Sequence, residues 1–337
     1  MRALIWNGSR ELAVGEVPEP EPQPGEVIVE IAKAGICGSD LHAFRGEGGR
    51  RVPPLVLGHE AVGHLDGDDR LIVILPLMGC GACALCVAGS ANLCTHRSLL
   101  GLDRPGTFAE RVAVTRDSVV PVPDGLSVQL AVLAEPLATS IAVLDRHPVS
   151  RNHKVIVIGC GAIGLLALHA ARQAGAEVEV VDPVGRRREV ARRLGAAAAR
   201  ESVDQLDQGQ ADLVIDAVGI EATWNAALAA LRPGGTAVVV GLGQQVGSAP
   251  IGLLVRSGLR LEGSYAYRRE EFLRALELLS VTPPDDSWIT EVPLADGPRA
   301  FADLADRPAD AVKVLLDLDH GRQSDTPTSS RHKPLEH

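Results

Sequence analysis

The sequence predicts a mixed α/β protein with a β-rich first part and a doubly wound parallel sheet in its second part. Up to about residue 137, short apolar runs alternate with Gly and Pro, and no long amphipathic helix interrupts them. From residue 154, near-continuous apolar runs of strand length alternate with Ala- and Leu-rich helical stretches. Such strands belong to parallel sheets that helices cover on both faces. Four clustered cysteines in the first part add a metal site to this expectation.

The length and net charge of the chain limit the classes of function that it can have. The 337 residues are enough for about two domains, and the net charge is −10 with a pI near 5.5. This acidity argues against nucleic acid or an anionic membrane surface as the main partner. Only two of the six cysteines lie outside the cluster, which suits a reducing compartment better than a disulfide framework. We therefore expect a soluble cytoplasmic protein.

The strands of the first part are read from four apolar runs. They are RALIW (2–6), EVIVEIA (26–32), LIVILPL (71–77) and FAERVAV (108–114). Glycine and proline separate them, so short connections and a loop-rich β structure follow.

The cysteine cluster lies in the run GCGACALCVAGSANLC. Its members Cys80, Cys83, Cys86 and Cys94 are separated by gaps of two, two and seven residues. One loop with these gaps can wrap a single ion, and four thiolates around zinc form a closed structural site. Bacterial ferredoxin clusters instead have a three-residue last gap and a proline after the final cysteine. We favour a structural zinc lobe at about 79–95, with disulfides or chance clustering as the alternatives.

The second part contains five apolar runs and a shorter sixth strand. The runs are KVIVIG (154–159), EVEVVD (177–182), DLVIDAVG (212–219), TAVVVGL (236–242) and LRLEGSYA (259–266), and the short strand is near 198–200. A helix at 270–280 and a strand at 312–318 follow, and the strand is expected to return to the first part. The tail 319–337 lacks apolar periodicity and is expected to be disordered.

A glycine-rich turn follows the first of these strands and predicts a Rossmann dinucleotide site. Gly159, Gly161 and Gly164 have the G-x-G-x-x-G spacing, and they allow a tight turn, close approach of a pyrophosphate and close helix packing. Asp182 ends the next strand, where a carboxylate binds the ribose 2′-hydroxyl and repels a 2′-phosphate. NAD is thus favoured over NADP. The three arginines 186–188 keep NADP open, since any of them could neutralise that phosphate.

Three polar fragments stand out in apolar surroundings: GICGSDLH (35–42), PLVLGHEAVG (54–63) and LAEPLATS (133–140). Each has a plain structural explanation when taken singly. Cys37 could be a small core residue, His59 a hydrogen-bonded core histidine, and Glu135 a carboxylate favoured in the first turn of a helix.

Together, these fragments resemble the zinc-containing medium-chain dehydrogenase/reductase family, that is, the alcohol dehydrogenase family. The similarity is to its sorbitol, threonine and galactitol-phosphate dehydrogenase branch. It covers about residues 1–318 and rests on these fragments, the cysteine lobe, GTFAERVAV (106–114) and VIVIGCGAIG (155–164), all in the family's order. The resemblance implies a GroES-like catalytic domain at 1–137 and 267–318 and a Rossmann cofactor domain at 138–266.

The resemblance also implies a second, catalytic zinc. Cys37 and His59 would be its ligands, Glu60 the third ligand at rest, and Glu135 a ligand in part of the cycle, directly or through water. Asp40 would orient the imidazole of His59.

The resemblance also implies a proton relay and a set of cofactor contacts, because the matching motifs occur in this sequence. Ser39 and His42 match the relay, and Asp182 and Arg187 match the ribose contacts. The remaining cofactor positions are Ile163 in the glycine-rich turn and Gly241, Leu242, Ser264 and Tyr265 at later strand ends.

The implied activity is hydride transfer between a secondary alcohol and NAD, through a zinc-bound alkoxide and the Ser/His relay. Scarce aromatic residues and Glu135 favour a polyol, sugar, cyclitol or amino alcohol. Phe44, Arg45 and Leu102 are candidate walls of the pocket. The family is usually a homodimer or homotetramer. The alternatives are a zinc-independent quinone or enone reductase of the superfamily and a non-catalytic zinc- and nucleotide-binding protein.

Overall fold

The computed structural model describes residues 1–47, 49–307 and 311–318. The tail for which disorder was predicted, 319–337, lies outside the described residues. The strands of the first half are β1 (Arg2–Gly8), β2 (Glu11–Glu16), β3 (Glu26–Gly35), β4 (Leu55–Val56), β5 (Glu60–Leu65), β6 (Leu71–Ile74), β7 (Leu77–Met78), β8 (Ser98–Leu99), β9 (Arg111–Thr115) and β10 (Val119–Pro121). Those of the second half are β11 (Lys154–Ile158), β12 (Glu177–Val181), β13 (Ala198–Arg200), β14 (Ala211–Asp216), β15 (Leu231–Val239), β16 (Arg260–Gly263), β17 (Ile289–Pro293) and β18 (Lys313–Asp317).

Ten α-helices belong to the described part of the chain. They are α1 (Gly38–Phe44), α2 (Ala84–Val87), α3 (Val128–Val132), α4 (Ala134–Arg146), α5 (Ala162–Gln173), α6 (Gly185–Arg193), α7 (Glu221–Ala230), α8 (Ile251–Ser257), α9 (Arg269–Val281) and α10 (Gly297–Asp306). None of them combines the length and the apolar character that a bilayer-spanning segment needs.

The second part forms one six-stranded parallel sheet in the order β13-β12-β11-β14-β15-β16. The order reverses between β11 and β14, as in doubly wound folds that bind dinucleotides at that point. The five predicted runs and the short strand at 198–200 all occur in this sheet, so the α/β expectation is confirmed.

The first part is built around a seven-stranded sheet in which β3 is central. β3 pairs antiparallel with β5, β9 and β18, and β18 pairs parallel with β17. The expected return of the last strand to the first part is therefore observed. A three-stranded sheet of order β2-β1-β4 packs beside this sheet.

The core falls into three clusters of buried apolar side chains. One fills the first part around β1, β3 and α10, and one fills the face of the parallel sheet under α7. The largest cluster is continuous from β5 and β6 through α3 and α4 to α5 and α9. Because α4 packs on both α5 and α9, it joins the two parts next to the cleft between them.

Candidate active site and metal centres

A cleft of about 660 Å³ lies between the two parts of the chain. The first part contributes Cys37, Ser39, His42, His59 and Arg97 to its walls, and α4 contributes Glu135. The opposite wall comes from the parallel sheet and the segment after it, with Ile163, Leu242, Ser264, Tyr265 and Tyr267. Residues distant in sequence thus face one another across one space.

Three of the predicted metal ligands form a compact group, in which Cys37 and His59 line the cleft and Glu60 follows His59 in the chain. One donor atom each from Cys37, His59 and Glu60 lies within 4.8 Å of the other two. Cys37 is the residue before α1, and its backbone N–H donates to Asp40 Oδ2 at 3.1 Å. His59 and Glu60 stand at the start of β5, which brings them beside the end of β3.

The imidazole of His59 is surrounded by acidic groups. Its Nδ1 lies 3.7 Å from Asp40 Oδ1, which is beyond hydrogen-bond distance, and both atoms are buried without a hydrogen-bond partner among the described residues. Burial alone would lower the pKa of His59, but the charges of Asp40, Cys37 and Glu135 raise it well above its ordinary value. The group therefore has an excess of negative charge.

Glu60 has a partner that sequence reasoning missed. The ammonium group of Lys313 on β18 forms a buried ion pair with Glu60 Oε2 and donates to the carbonyl of Ile36 at 3.0 Å. Both side chains are 1% exposed. Gly35 lies directly against this pair, where a Cβ atom would overlap both side chains. The only signal in the sequence was a single lysine within the apolar run of β18.

Glu135, at the start of α4, is held by a second residue that was missed. The hydroxyl of Tyr267 donates to Glu135 Oε1 at 2.8 Å. Burial raises the pKa of Glu135 to about 7, although the charge of His59 opposes the rise. Burial and the Glu135 carboxylate together raise the pKa of Tyr267 well above its ordinary value. Glu135 is therefore poised between its neutral and charged forms.

These residues fit a catalytic zinc by their chemistry. A thiol, an imidazole and a carboxylate are the donor types that zinc binds, and a site with three protein ligands keeps one position open. The excess negative charge and the unpartnered atoms around His59 are also what a bound cation would compensate.

Ser39 and His42 both lie on α1 and line the cleft. The Ser39 hydroxyl accepts a hydrogen bond from Arg51 at 3.3 Å, and His42 Nδ1 lies 2.7 Å from Glu47 Oε2. Arg51 is 7% exposed and also lies 3.6 Å from Asp40 Oδ1. Arg51 was not singled out from the sequence, because nothing in GGRRVPP distinguishes it from a surface arginine.

The glycine-rich turn has the geometry that its motif predicts. Gly159 has φ +92°, Gly161 precedes α5 with open space at its Cα, and a Cβ atom on Gly164 would overlap the Gly159 carbonyl. Asp182 follows β12, is 3% exposed and accepts backbone hydrogen bonds from Cys160 at 2.7 Å and from Val184 at 2.8 Å. The Arg187 guanidinium lies 3.8 Å from the same carboxylate.

Not all of the predicted cofactor positions at the later strand ends line the cleft. Leu242, Ser264 and Tyr265 line the cleft, as does Ile163. Gly241 instead packs against the backbone of Val218, which leaves no room for a side chain.

The four-cysteine lobe also has the geometry of a metal site. The four sulfurs lie within 4.8 Å of one another, with Cys80–Cys86 at 4.0 Å and Cys83–Cys94 at 3.7 Å. Tetrahedral zinc with Zn–S bonds of about 2.3 Å places its sulfurs about 3.8 Å apart. Backbone N–H groups of Ala82 and Cys83 lower the pKa of Cys80 to about 6, whereas burial raises the pKa of Cys86 to about 12, so the four thiols ionise together only with a cation among them.

The predicted pocket walls are correct at one position of three. Leu102 lines the cleft. Phe44 does not, because its ring packs in the core against Phe301 at 5.7 Å. Arg45 donates to the carbonyl of Ala305, outside the cleft. Phe44 is the last residue of α1 and Arg45 is its C-cap, at the end where α1 packs on α10.

Comparison with known proteins agrees with these sites. Residues 23–124 match the family model "Alcohol dehydrogenase GroES-like domain", and residues 162–281 match "Zinc-binding dehydrogenase". L-galactonate-5-dehydrogenase of Escherichia coli is 34% identical over 72% of this chain and 76% of its own length. Sorbitol dehydrogenase of Bacillus subtilis is 30% identical over 73% of this chain and 76% of its own length.

Two solved structures extend this comparison to 94% of the chain. An Escherichia coli alcohol dehydrogenase with bound NADH has a TM-score of 0.86 at 26% identity, with 99% of its chain covered. A zinc-binding dehydrogenase of Sinorhizobium meliloti bound to NADP has a TM-score of 0.85 at 29% identity, with 98% covered.

Proposed function

This chain belongs to the zinc-type medium-chain alcohol dehydrogenase family, and we propose that it interconverts a polar secondary alcohol and the corresponding ketone with NAD. Within the family it is an alcohol or polyol dehydrogenase with a nicotinamide cofactor. The observation that carries the proposal is the group of Cys37, His59 and Glu60, of which Cys37 and His59 line the same cleft as Ile163 of the glycine-rich turn.

We assign two zinc ions to each chain. Cys37 and His59 would hold the catalytic ion with Glu60 or Glu135, and the four cysteines of the lobe would hold the structural one. When bound, the catalytic ion supplies Lewis-acid polarisation of the substrate oxygen, and the nicotinamide accepts the hydride. The ion pair with Lys313 favours Glu135 as the carboxylate nearer the substrate, because Glu60 already has a cationic partner.

The chain's own residues would move the proton. Oxidation of a secondary alcohol releases one hydride to the cofactor and one proton, which must reach water. Ser39 lines the cleft and can accept the proton from the substrate hydroxyl while its own hydroxyl proton passes on towards His42, which lines the same cleft. His42 is paired with the exposed Glu47 and can pass a proton to solvent. Reduction would use the same groups in the opposite direction.

NAD is the proposed cofactor rather than NADP. The buried carboxylate of Asp182 follows the second strand of the parallel sheet's glycine-rich unit, a position at which an acid binds the adenosine ribose and would repel a 2′-phosphate. The nearby Arg187 is already 3.8 Å from this carboxylate, which reduces its capacity to attract a phosphate. Replacing Asp182 with Ser should therefore improve kcat/KM with NADP relative to NAD.

The names of the relatives, L-galactonate-5-dehydrogenase and sorbitol dehydrogenase, support a polyhydroxylated substrate. We also keep the division into a catalytic domain at 1–137 and 267–318 and a cofactor domain at 138–266, since β17 and β18 join the first sheet. A homodimer or homotetramer remains our proposal for the assembly.

The function is tested by metal content together with Cys37→Ala. We expect about two zinc ions per chain and NAD-dependent oxidation of at least one polyol, cyclitol or amino alcohol. The variant should lose one zinc and at least about 1000-fold in kcat/KM but keep NADH binding, because the cofactor contacts lie on the other wall. Cys160→Ala is the matched control, since Cys160 is a buried thiol that belongs to neither metal group. Wild-type rates without the Cys37 thiol would contradict the proposal, and a zinc-free active protein would favour a quinone or enone reductase.

A further inference from the structure

Arg97 is a cationic residue of the cleft for which the catalytic chemistry has no use. It follows the last cysteine of the lobe by three residues and lines the same cleft as Cys37 and His59. The oxidation of a neutral alcohol needs no guanidinium, and burying one in the cleft carries a desolvation cost.

The other two arginines of the cleft are already paired with carboxylates. Arg50 lies 3.1 Å from Asp103, and Arg51 lies 3.6 Å from the buried Asp40. Arg97 has no carboxylate within 4.0 Å among the described residues. Only its Nη1 has an acceptor there, the carbonyl of Cys94 at 3.0 Å, and its Nε is buried without a partner. Its charge is therefore available for a ligand.

The guanidinium is held in place although it is unpaired. It stacks over the ring of Tyr265 with 4.7 Å between Cζ and the ring centroid. The backbone of Tyr265 is in turn fixed, because the buried Asn92 of the lobe donates its Nδ2–H to the Tyr265 carbonyl at 2.8 Å. A cation fixed in this way loses little side-chain entropy when it binds an anion.

The negative groups of the cleft are already engaged. Glu47 pairs with His42, and Glu135 accepts from Tyr267 beside the metal ligands. An anionic substrate would therefore meet the metal group at one end and an unpaired cation on the lobe wall.

We propose that Arg97 binds a carboxylate of the substrate, so that the preferred substrates are polyhydroxy acids such as aldonates rather than neutral alditols. A carboxylate accepts a strong, charge-assisted hydrogen bond from a guanidinium N–H group. This inference rests on the proposed dehydrogenase function and names the substrate class of that site. It makes the cysteine lobe part of substrate recognition, since Arg97 and Asn92 both belong to it.

The test measures kcat/KM for pairs of four- to six-carbon aldonates and the alditols of the same configuration. The wild-type enzyme should prefer an aldonate by tenfold or more. Arg97→Gln should lower the ratio of acid to neutral substrate by roughly 10- to 100-fold, since a charge-assisted hydrogen bond is lost. The effect should be mainly on KM. Arg97→Lys should restore part of the ratio, and added salt should weaken the preference of the wild type.

Arg50→Gln is the matched control, because Arg50 lines the same cleft but is paired with Asp103. It should change the ratio by less than about threefold, as an exposed ion pair contributes little. Equal losses on acid and neutral substrates in Arg97→Gln would overturn the inference, because they would mark a structural role.

A second measurement separates this inference from the proposed function. Calorimetric titration of an aldonate into the enzyme–NADH complex should give binding that Arg97→Gln weakens at least tenfold. If no alcohol is oxidised, the proposed function fails, and this titration still decides the role of Arg97. Unchanged aldonate binding in the variant would refute it.

Discussion

At the scale of single residues, the site depends on buried charges that balance one another. Glu60 and Lys313 are each 1% exposed, and neither could be buried alone at a tolerable free-energy cost. Glu60 is itself one of the proposed metal ligands, so the cation of Lys313 offsets part of the negative charge that accumulates around His59.

Lys313→Met should therefore be strongly destabilising. It keeps the length of the side chain but leaves the Glu60 carboxylate buried without its cation, which costs about 3–5 kcal/mol of the free energy of unfolding. Urea unfolding of the metal-free protein measures the loss. The double variant with Glu60→Gln should recover much of it, and a single variant as stable as the wild type would contradict the pairing.

At the scale of elements, α5 combines the cofactor turn with a buried histidine. His169 is 4% exposed, and its Nε2 has no partner in the described part of the chain. Burial lowers its pKa from the ordinary 6.5, and Arg172 adds to the effect, while a backbone hydrogen bond at Thr282 opposes it. The helix therefore favours the neutral imidazole.

This histidine should give the protein a pH dependence on the acid side. Because the pKa is lower in the folded than in the unfolded state, its contribution is complete above about pH 6.5 and is lost as the pH falls towards the folded value. His169→Gln should remove that part of the slope below about pH 6.5. Melting temperatures measured across this range test it. A slope that is the same in the variant would assign the acid sensitivity to other groups.

At the scale of the whole molecule, the cysteine lobe connects the two halves. Asn92 and Arg97 of the lobe both contact Tyr265, which follows β16 of the parallel sheet. Loss of the structural zinc should therefore loosen the structure around Tyr265, across the cleft, as well as the lobe itself.

Cys94→Ser tests this connection. We expect zinc to fall from about two to about one per chain, because a closed site with three thiolates binds weakly. Hydrogen exchange should rise both in the lobe and around Tyr265, where the hydrogen bond from Asn92 is loosened. Cys160→Ser, which removes a buried thiol outside the cysteine lobe, should leave the zinc content unchanged. Faster exchange confined to the lobe would rule out the connection.

Short sequence motifs predicted much of the fold and of the site. They could not predict contacts between residues that are far apart in the sequence. The glycine-rich turn, the acid after β12 and the cysteine spacing are short motifs whose geometry depends on neighbouring residues, and the structure has that geometry. Strand β2 was missed because its side chains are mostly exposed and show no apolar run. Helix α10 was missed although its buried residues Gly297, Ala300, Phe301 and Leu304 follow the helical period.

The partners of the site were harder to predict than its motifs. Lys313 and Tyr267 act on Glu60 and Glu135 from elements far away in the sequence, and Arg51 reaches Asp40 from the loop after α1. No spacing rule connects such residues, since only the assembled sheets bring them together. Phe44 was misassigned for the same reason, because the packing of α10 on α1 decides where it points.

The position of β18 also has a consequence for how the protein is made. Lys313 is 253 residues beyond Glu60, and its strand lies beside β3 in the middle of the first sheet. During synthesis, the N-terminal strands leave the ribosome long before the strand that completes them, and the whole cofactor sheet emerges in between. The cleft with the proposed metal ligands is therefore completed last, after the residues of the parallel sheet have been synthesised.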